Sequence, residues 1–266
     1  MKKSLVYLIT LFLLIFAVSC SEDDGGPDDT NDGGSAQEYY PGTTGSTFNY
    51  QGSTTDSSGT NQYTRDVNYG PQQTVNNTTY IQQNNTIITL AGVSTGDFLF
   101  RRTDTGMFIY IDATIFSEML DSSGIDPSLV TITADPEIRL ISYPFANTPQ
   151  WDSFVVRVSA FGGLISLDVL KVTGNYRGQE QVTVMQQNMT AEKVEYVATI
   201  KIPESIEDIA NPQTITVNAT AWFVKDVGLV KLEGAGFLIS VLGGGDLDVE
   251  DESATASEVL VNYSIK

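Results

Sequence analysis

Gly92-Val93-Ser94-Thr95-Gly96 has the Gly-x-Ser-x-Gly spacing of a nucleophile elbow. An elbow needs a strand before the serine, a helix after it and a histidine to take the hydroxyl proton. Here Asp97-Phe98-Leu99-Phe100 reads as a strand, and the chain of 266 residues has no histidine. Ser94 therefore belongs to a loop. Without histidine there is no Ser-His-Asp triad, no Cys-His dyad and no imidazole-bound zinc. A second candidate runs from Gly243 to Glu252. Asp246, Asp248 and Glu250 alternate there after flexible glycines and could turn carboxylate oxygens onto calcium. The central glycine and distal glutamate of an EF-hand loop are missing, so the stretch reads as an acidic connection. The 33 acidic residues allow many carboxylate pairs of the glycosidase kind, but separation in space defines such a site and no local motif marks one. Asn76-Asn77-Thr78, Asn188-Met189-Thr190 and Asn218-Ala219-Thr220 have the spacing of glycosylation sequons and read as turn and strand composition. No catalytic residue, metal ligand or cofactor is assigned, and the expectation is a protein that is not an enzyme.

The residue with the clearest chemistry is Cys20, the one cysteine of the chain. Lys2 and Lys3 precede an apolar run, Leu5 to Phe16, which is short of the ~20 residues a membrane span needs. Small residues then lead into Cys20. A positive start, an apolar core and a small-residue exit define a secretory leader. Ala17-Val18-Ser19-Cys20 resembles a bacterial lipobox, with Ala17 where leucine is usual. The resemblance implies cleavage before Cys20, lipid on its thiol and amine, and a membrane partner reached through that lipid. Ser21-Glu22-Asp23-Asp24 resembles the acidic export signal of Bacteroidota surface lipoproteins, which implies delivery to the outer face of the outer membrane.

Loss of Lys2 and Lys3 with the leader takes the formal charge from −19 to −21. Such a surface repels phosphate backbones, so nucleic acid is not an expected partner. Hydrophobic residues are 41% and aromatics 10%, enough for a core that needs no disulfide. The expected division is a leader over 1–19, a lipidated acidic tether over 20–38 that buries almost nothing, and a single antiparallel β domain over 39–266.

The elements that must position any site are mostly strands. Ser46 to Gly52, Gln62 to Tyr69, Tyr80 to Leu90, Phe98 to Arg102 and Met107 to Ile111 are rich in Thr, Tyr, Val and Ile between polar turn clusters. Glu137 to Ser142, Phe154 to Ala160, Leu164 to Val172, Gln181 to Met185 and Lys193 to Ile202 continue the pattern, with Gly162-Gly163 as a tight turn. Along Lys193 to Ile202, Val194, Tyr196, Ala198, Ile200 and Ile202 fall on one face. Thr214 to Val224, Leu229 to Glu233 and Glu258 to Ile265 complete it, the last with Val259, Val261, Tyr263 and Ile265 on one face. Spacings of three and four predict a helix over Asp112 to Leu120, and Pro203 to Ala210 reads as a helical turn. Helical patterns are too few for parallel crossovers, so the fold class is mainly β: a strongly curved antiparallel sheet or open half-barrel with one or two short helices packed on it.

Tyr39-Tyr40-Pro41 with Gly45 and Phe48, and then Trp222-Phe223-Val224-Lys225-Asp226-Val227-Gly228-Leu229-Val230-Lys231, resemble segments of uncharacterised Bacteroidota lipoproteins. The resemblance implies a sheet similar to the LolA-like lipoprotein carriers and carries over no catalytic residue. A binding module for an apolar or lipid-like ligand follows as the first expectation, with Phe116, Met119 and Leu120 as the ligand lid. A cell-surface module that recognises a glycan or a protein is the alternative.

Overall fold

The computed structural model describes residues 34–112, 130–202, 212–244 and 253–266. The expected helix beyond Asp112, the turn over 203–210, Cys20 and the acidic stretch 245–252 lie outside these residues.

Thirteen strands form a single antiparallel sheet: β1 Thr47–Asp56, β2 Gly59–Val75, β3 Thr78–Thr89, β4 Val93–Thr103, β5 Gly106–Tyr110, β6 Val130–Ala134, β7 Glu137–Ser142, β8 Gln150–Ala160, β9 Ile165–Val184, β10 Gln187–Ile202, β11 Gln213–Val224, β12 Gly228–Ala235 and β13 Thr255–Ser264. One helix, α1 Gly236–Gly243, joins β12 to β13, and short 3-10 turns at Ala36–Tyr39, Phe145–Asn147 and Phe161–Gly163 complete the described elements. The ladder order is β6-β8-β9-β10-β11-β12-β13-β1-β2-β3-β4-β5-β7. The expected mainly β, curved and open antiparallel sheet is what is found, with longer strands than the sequence marks. The two segments read at Leu164–Val172 and Gln181–Met185 are parts of one strand of 20 residues, β9.

The two edges of the ladder, β6 and β7, are successive segments of the chain, separated only by Asp135 and Pro136. At the junction the Asp135 amide donates to Val155 O (3.0 Å), and the Ile111 amide donates to Pro136 O (2.9 Å). The same stretch thus lies on β8 and then on β5, and what remains between β7 and β8 is a seam. Side chains from across the seam occupy carbonyls of β7. Trp151 Nε1 (3.0 Å) and Ser153 Oγ (2.9 Å) donate to Arg139 O, and Tyr196 OH donates to Leu140 O at 2.5 Å. An open edge strand invites pairing with another chain; here that edge is covered by the molecule itself.

Period-2 alternation puts one face of every long strand inward. Phe100, Met107, Leu140, Tyr196, Phe223, Leu232 and Leu260 are fully buried there. α1 fills the hollow of the sheet with Leu238, Ile239 and Leu242, each at most 1% exposed. A helix apolar all round is a buried helix, and Gly236-Phe237-Leu238-Ile239-Ser240-Val241-Leu242-Gly243 has neither a polar face nor a side-chain N-cap. That is why its periodicity does not announce it. Among the described residues it takes the covering role expected of the Asp112–Leu120 helix. In β13 the inward residues are Ala256, Glu258 and Leu260, while Val261 is 38% exposed. The apolar face read for that strand is therefore broken: Val261 points out at a register shift beside Leu260, and beyond it Tyr263 stacks on the buried Phe48 and packs against the core. Glu258 takes an inward position because its partner Arg65 lies inside the sheet.

Candidate functional site

Three groupings of polar, aromatic or exposed apolar side chains could serve function. The first lies at the inner end of α1. Gly52 sits in the ladder between Glu258 of β13 and Tyr63 of β2. A Cβ at Gly52 would lie 2.3 Å from Tyr63 Cζ, so glycine lets the Tyr63 ring cross over the strand and donate its hydroxyl to Glu258 Oε2 at 3.2 Å. Arg65 meets the same carboxylate with Nε on Oε2 at 3.0 Å and Nη2 on Oε1. Arg65 Nη1 donates to Gly243 O at 2.8 Å and to Asn85 Oδ1 at 3.2 Å. Tyr50 lies under the guanidinium at 4.2 Å and donates to Leu229 O at 2.9 Å, while Tyr40 donates to Gln83 Oε1 at 2.8 Å. Arg65 and Glu258 are 2% and 3% exposed. Burial works against the Arg65 charge, but the Glu258 carboxylate outweighs it and the guanidinium is held above its ordinary value. Burial pushes Tyr40 up to about 12, so it stays a neutral donor. The guanidinium stands at the carbonyl end of α1, where a cation is favoured. This grouping pins the helix, with Asn85 Nδ2 buried beside it without a partner.

The second grouping closes the end of the sheet where residues 34–40 enter. Glu192 of β10 accepts from Tyr176 OH (2.6 Å), Tyr39 OH (3.3 Å) and Gln179 Nε2 (3.0 Å). Phe145 stacks on Tyr176 at 5.2 Å and meets Tyr39 edge-on at 5.1 Å. Burial, and then the Glu192 charge, push the Tyr39 hydroxyl well above its usual range. The rings pack against one another, and the phenols occupy the carboxylate. Nearby, Lys225 bonds Glu38 at 3.0 Å and the Asp226 amide donates to Glu38 O at 2.7 Å. The expected hairpin Trp222–Lys231 thus fastens the entry turn, with Asp226 at φ 61 and Gly228 at φ 105 in its bend.

The third grouping is at the opposite end. Following the ladder pairs, the β3–β4 and β8–β9 turns lie at the same end of the sheet, and residues 34–40, with the β4–β5 and β11–β12 turns, lie at the other. Leu90 is 98% exposed, Val93 66% and Ile88 43% at the first tip; Leu164 is 87% and Ile165 37% at the second. No charged residue occurs between Asp66 and Asp97 or between Arg157 and Asp168. Ser94, from the Gly-x-Ser-x-Gly match, stands in strand β4 at the first tip and not in the expected loop; strand, not helix, follows it, so the elbow is excluded as expected. In sequence these tips read as turns like the others; a leucine beside the turn glycine in each, Leu90 with Gly92 and Leu164 with Gly162-Gly163, was the available signal.

Trp151 and Trp222 are both buried, at 7% and 5%. Trp222 is covered by Lys231 at 4.3 Å and Lys193 at 5.4 Å. The expected lid residues Phe116, Met119 and Leu120 and the lipid site Cys20 fall outside the described residues, as do Asp246, Asp248 and Glu250. No cluster of three or more metal-ligating side chains occurs among the described residues.

Taken together, the elements make an open antiparallel sheet curled around one apolar helix, with an apolar rim at one end. No protein-family model matches the chain, and no curated protein is similar to it. Solved structures resemble it at low identity. A protein from Bacteroides fragilis described as exported, with a YmcC-like fold, is 18% identical with a TM-score of 0.43, covering 84% of this chain and 97% of its own. A protein from Parabacteroides distasonis described as a lipoprotein is 16% identical with a TM-score of 0.45, covering 85% and 98%. The hypothetical lipoprotein YmcC from Escherichia coli is 10% identical with a TM-score of 0.32, covering 82% and 86%. None of the three is described as a LolA-like carrier.

Proposed function

We propose that this chain is a non-catalytic, lipid-tethered interaction module of the outer membrane, and that its contact surface is the apolar rim. The observation that carries this reading is the contrast between Leu90 and Leu164, 98% and 87% exposed, and the leucines of α1, at most 1% exposed. Scattered exposed apolar residues are ordinary; two charge-free apices whose leucines stand almost fully exposed at the same end of the sheet support a contact made at two points. The described interior is occupied by α1 and aromatic side chains, which weighs against a ligand held there. The buried charges are engaged in the Arg65 and Glu192 groupings, which supports a non-catalytic role. Lipid on Cys20 and the acidic residues Glu22, Asp23 and Asp24 would hold the module at the membrane, facing the cell surface.

The test is a photoreactive amino acid placed at Leu90 or Leu164 in cells that make the full chain. Cross-linked adducts from both positions, and none from an equivalent probe at Asn76 in the opposite turn, are expected. Absence of adducts from both tips would overturn the reading.

A further inference from the structure

We infer that the rim contacts a lipid bilayer and that the two apolar hairpin tips enter its interface; this rests on the reading of the rim as the contact surface. Four observations lead to it. Among the described residues nothing crowds the apices: a Cβ built on Gly92, Gly162 or Gly163 meets nothing within 4 Å. Nothing in the described molecule therefore packs over Leu90 or Leu164. The tips carry apolar side chains without charge, so neither pays the cost of bringing an ion to the hydrocarbon boundary.

Third, the tips are separate. β4 and β8 are not neighbours; β5 and the β6–β7 stretch lie between them on the seam side. Two convex points separated by strands at ~4.8 Å spacing do not make a continuous face. A protein partner would need two matched recesses, and five exposed side chains fall short of the roughly 1,000 Å² that a specific protein interface buries. A fluid bilayer receives separate protrusions without matching them.

Fourth, the chain that precedes the described residues brings a bilayer within reach. The stretch from Cys20 to Gly34 spans at most about 50 Å when extended. Ala36 enters at the end opposite the tips, where its amide donates to Asp104 O at 3.0 Å. A strand of ten residues such as β1 is about 33 Å long. The tether is therefore long enough to run back along the sheet and let the tips meet the same bilayer that holds the lipid. The charge of −19 makes an anionic bilayer the poorer host, so the lipid class that fits is one with neutral headgroups.

The experiment uses the chain from position 20 onward with Cys20→Ser, so that neither the apolar leader nor an acyl chain contributes, and liposomes of phosphatidylcholine alone. The protein is expected to float with the liposomes and to stay bound in 1 M salt, since the contact is apolar. Adding anionic lipid is expected to weaken it. Each leucine taken from water is worth about tenfold or more in partitioning, so Leu90→Ser with Leu164→Ser should lower binding about a hundredfold. The exposed Val261→Ser on β13 should leave binding unchanged, and the urea midpoint of all variants should match the parent. Failure of the parent to float, or equal flotation of the double variant, overturns the lipid inference. If the tips then still cross-link to a protein in cells, the interaction reading stands without it; if they cross-link to nothing, both fall.

Discussion

The Arg65–Glu258 pair is the most constrained contact in the molecule, and its chemistry reaches beyond its two residues. Each partner is withdrawn from water, and each is useful only while the other is present. Removing one leaves a buried charge without its counterion, which typically costs 3–5 kcal/mol, whereas replacing both with apolar groups is often neutral or stabilising. Arg65→Met alone should therefore lower the unfolding free energy by about 3–5 kcal/mol, and Glu258→Leu alone by a similar amount. The double variant should recover part of the loss, but not all of it. Gly243 O would keep only Gln83 Nε2 at 3.4 Å, the Tyr63 hydroxyl would lose its carboxylate acceptor, and an unsatisfied buried polar group costs about 1–3 kcal/mol. Urea unfolding of the four proteins measures the coupling, and additive losses would show that the pair is not a unit. A related balance holds on the outer side of the sheet. Burial raises the Glu137 pKa, but hydrogen bonds from Arg101, at 2.6 Å to each oxygen, and from Tyr80, at 2.8 Å, outweigh it and keep the carboxyl below its ordinary value.

At the scale of elements, the seam explains how a sheet of 13 strands stays open while its β7 edge is covered. Trp151 is central to it. Its ring lies over Gly174, its ladder partner, where a Cβ would come within 2.3 Å of Cε2, and from there its Nε1 reaches Arg139 O on β7. Gly174→Val should push the ring aside and break that bond. Trp151→Phe with Ser153→Ala removes both donors to Arg139 O and keeps most of the packing. At about 1 kcal/mol per hydrogen bond, with more where the carbonyl is left bare, the loss should be about 2–3 kcal/mol. Amide exchange in Glu137–Ser142 should rise more than in β1 or β13, and equal protection throughout would show that the seam is not a separate unit. Much of this sheet is legible in sequence. The Lys193–Ile202 alternation, the Thr103–Gly106 hairpin and the Trp222–Lys231 turn all follow from residue type and period. β6 was not, because Val130–Ala134 is five residues long and its partner β8 is remote from the preceding strands. α1 was not, because Phe237–Leu242 is apolar on all sides except for the buried Ser240 and has no capping residue. In β13 the inward Glu258 was not legible, because a glutamate with a partner almost 200 residues away looks like a solvated one, and the register shift after Leu260 breaks the strict period. The rim was visible only as turns, since exposure is a property of what does not pack over a residue.

For the whole molecule, the decisive feature is that the first and last strands pair in the middle of the ladder. β1 lies between β13 and β2, in register from Thr47↔Ser264 to Thr55↔Thr255. Side chains fasten the same junction: Ser46 Oγ accepts the Lys266 amide at 3.0 Å and Thr43 Oγ1 donates to Lys266 O at 2.9 Å. Until β13 arrives, β1 and β12 both present open edges, Arg65 lacks its carboxylate, and Leu260 is absent from the core. Contacts of such long sequence separation must wait for loop closure, which places folding in the millisecond-to-second range characteristic of non-local β topologies. Removing Ser253–Lys266 should therefore abolish the cooperative urea transition, not merely shift it. That loss alone would not separate missing contacts from missing order of synthesis. A circular permutant does. Joining Lys266 to Gly34 through a glycine-serine linker, with new ends between Asn76 and Asn77, keeps every strand pair and the buried Ala36 and Tyr40 and makes the β13–β1 junction local. Asn76 and Asn77, at φ 50 and 65, form the exposed β2–β3 turn, and exposed turns are where chain breaks are tolerated. The permutant should unfold cooperatively with a midpoint near that of the parent, and should refold faster because its central junction no longer waits for the whole chain. A permutant that fails to fold would mean that the β2–β3 turn, not the β13–β1 junction, organises the sheet.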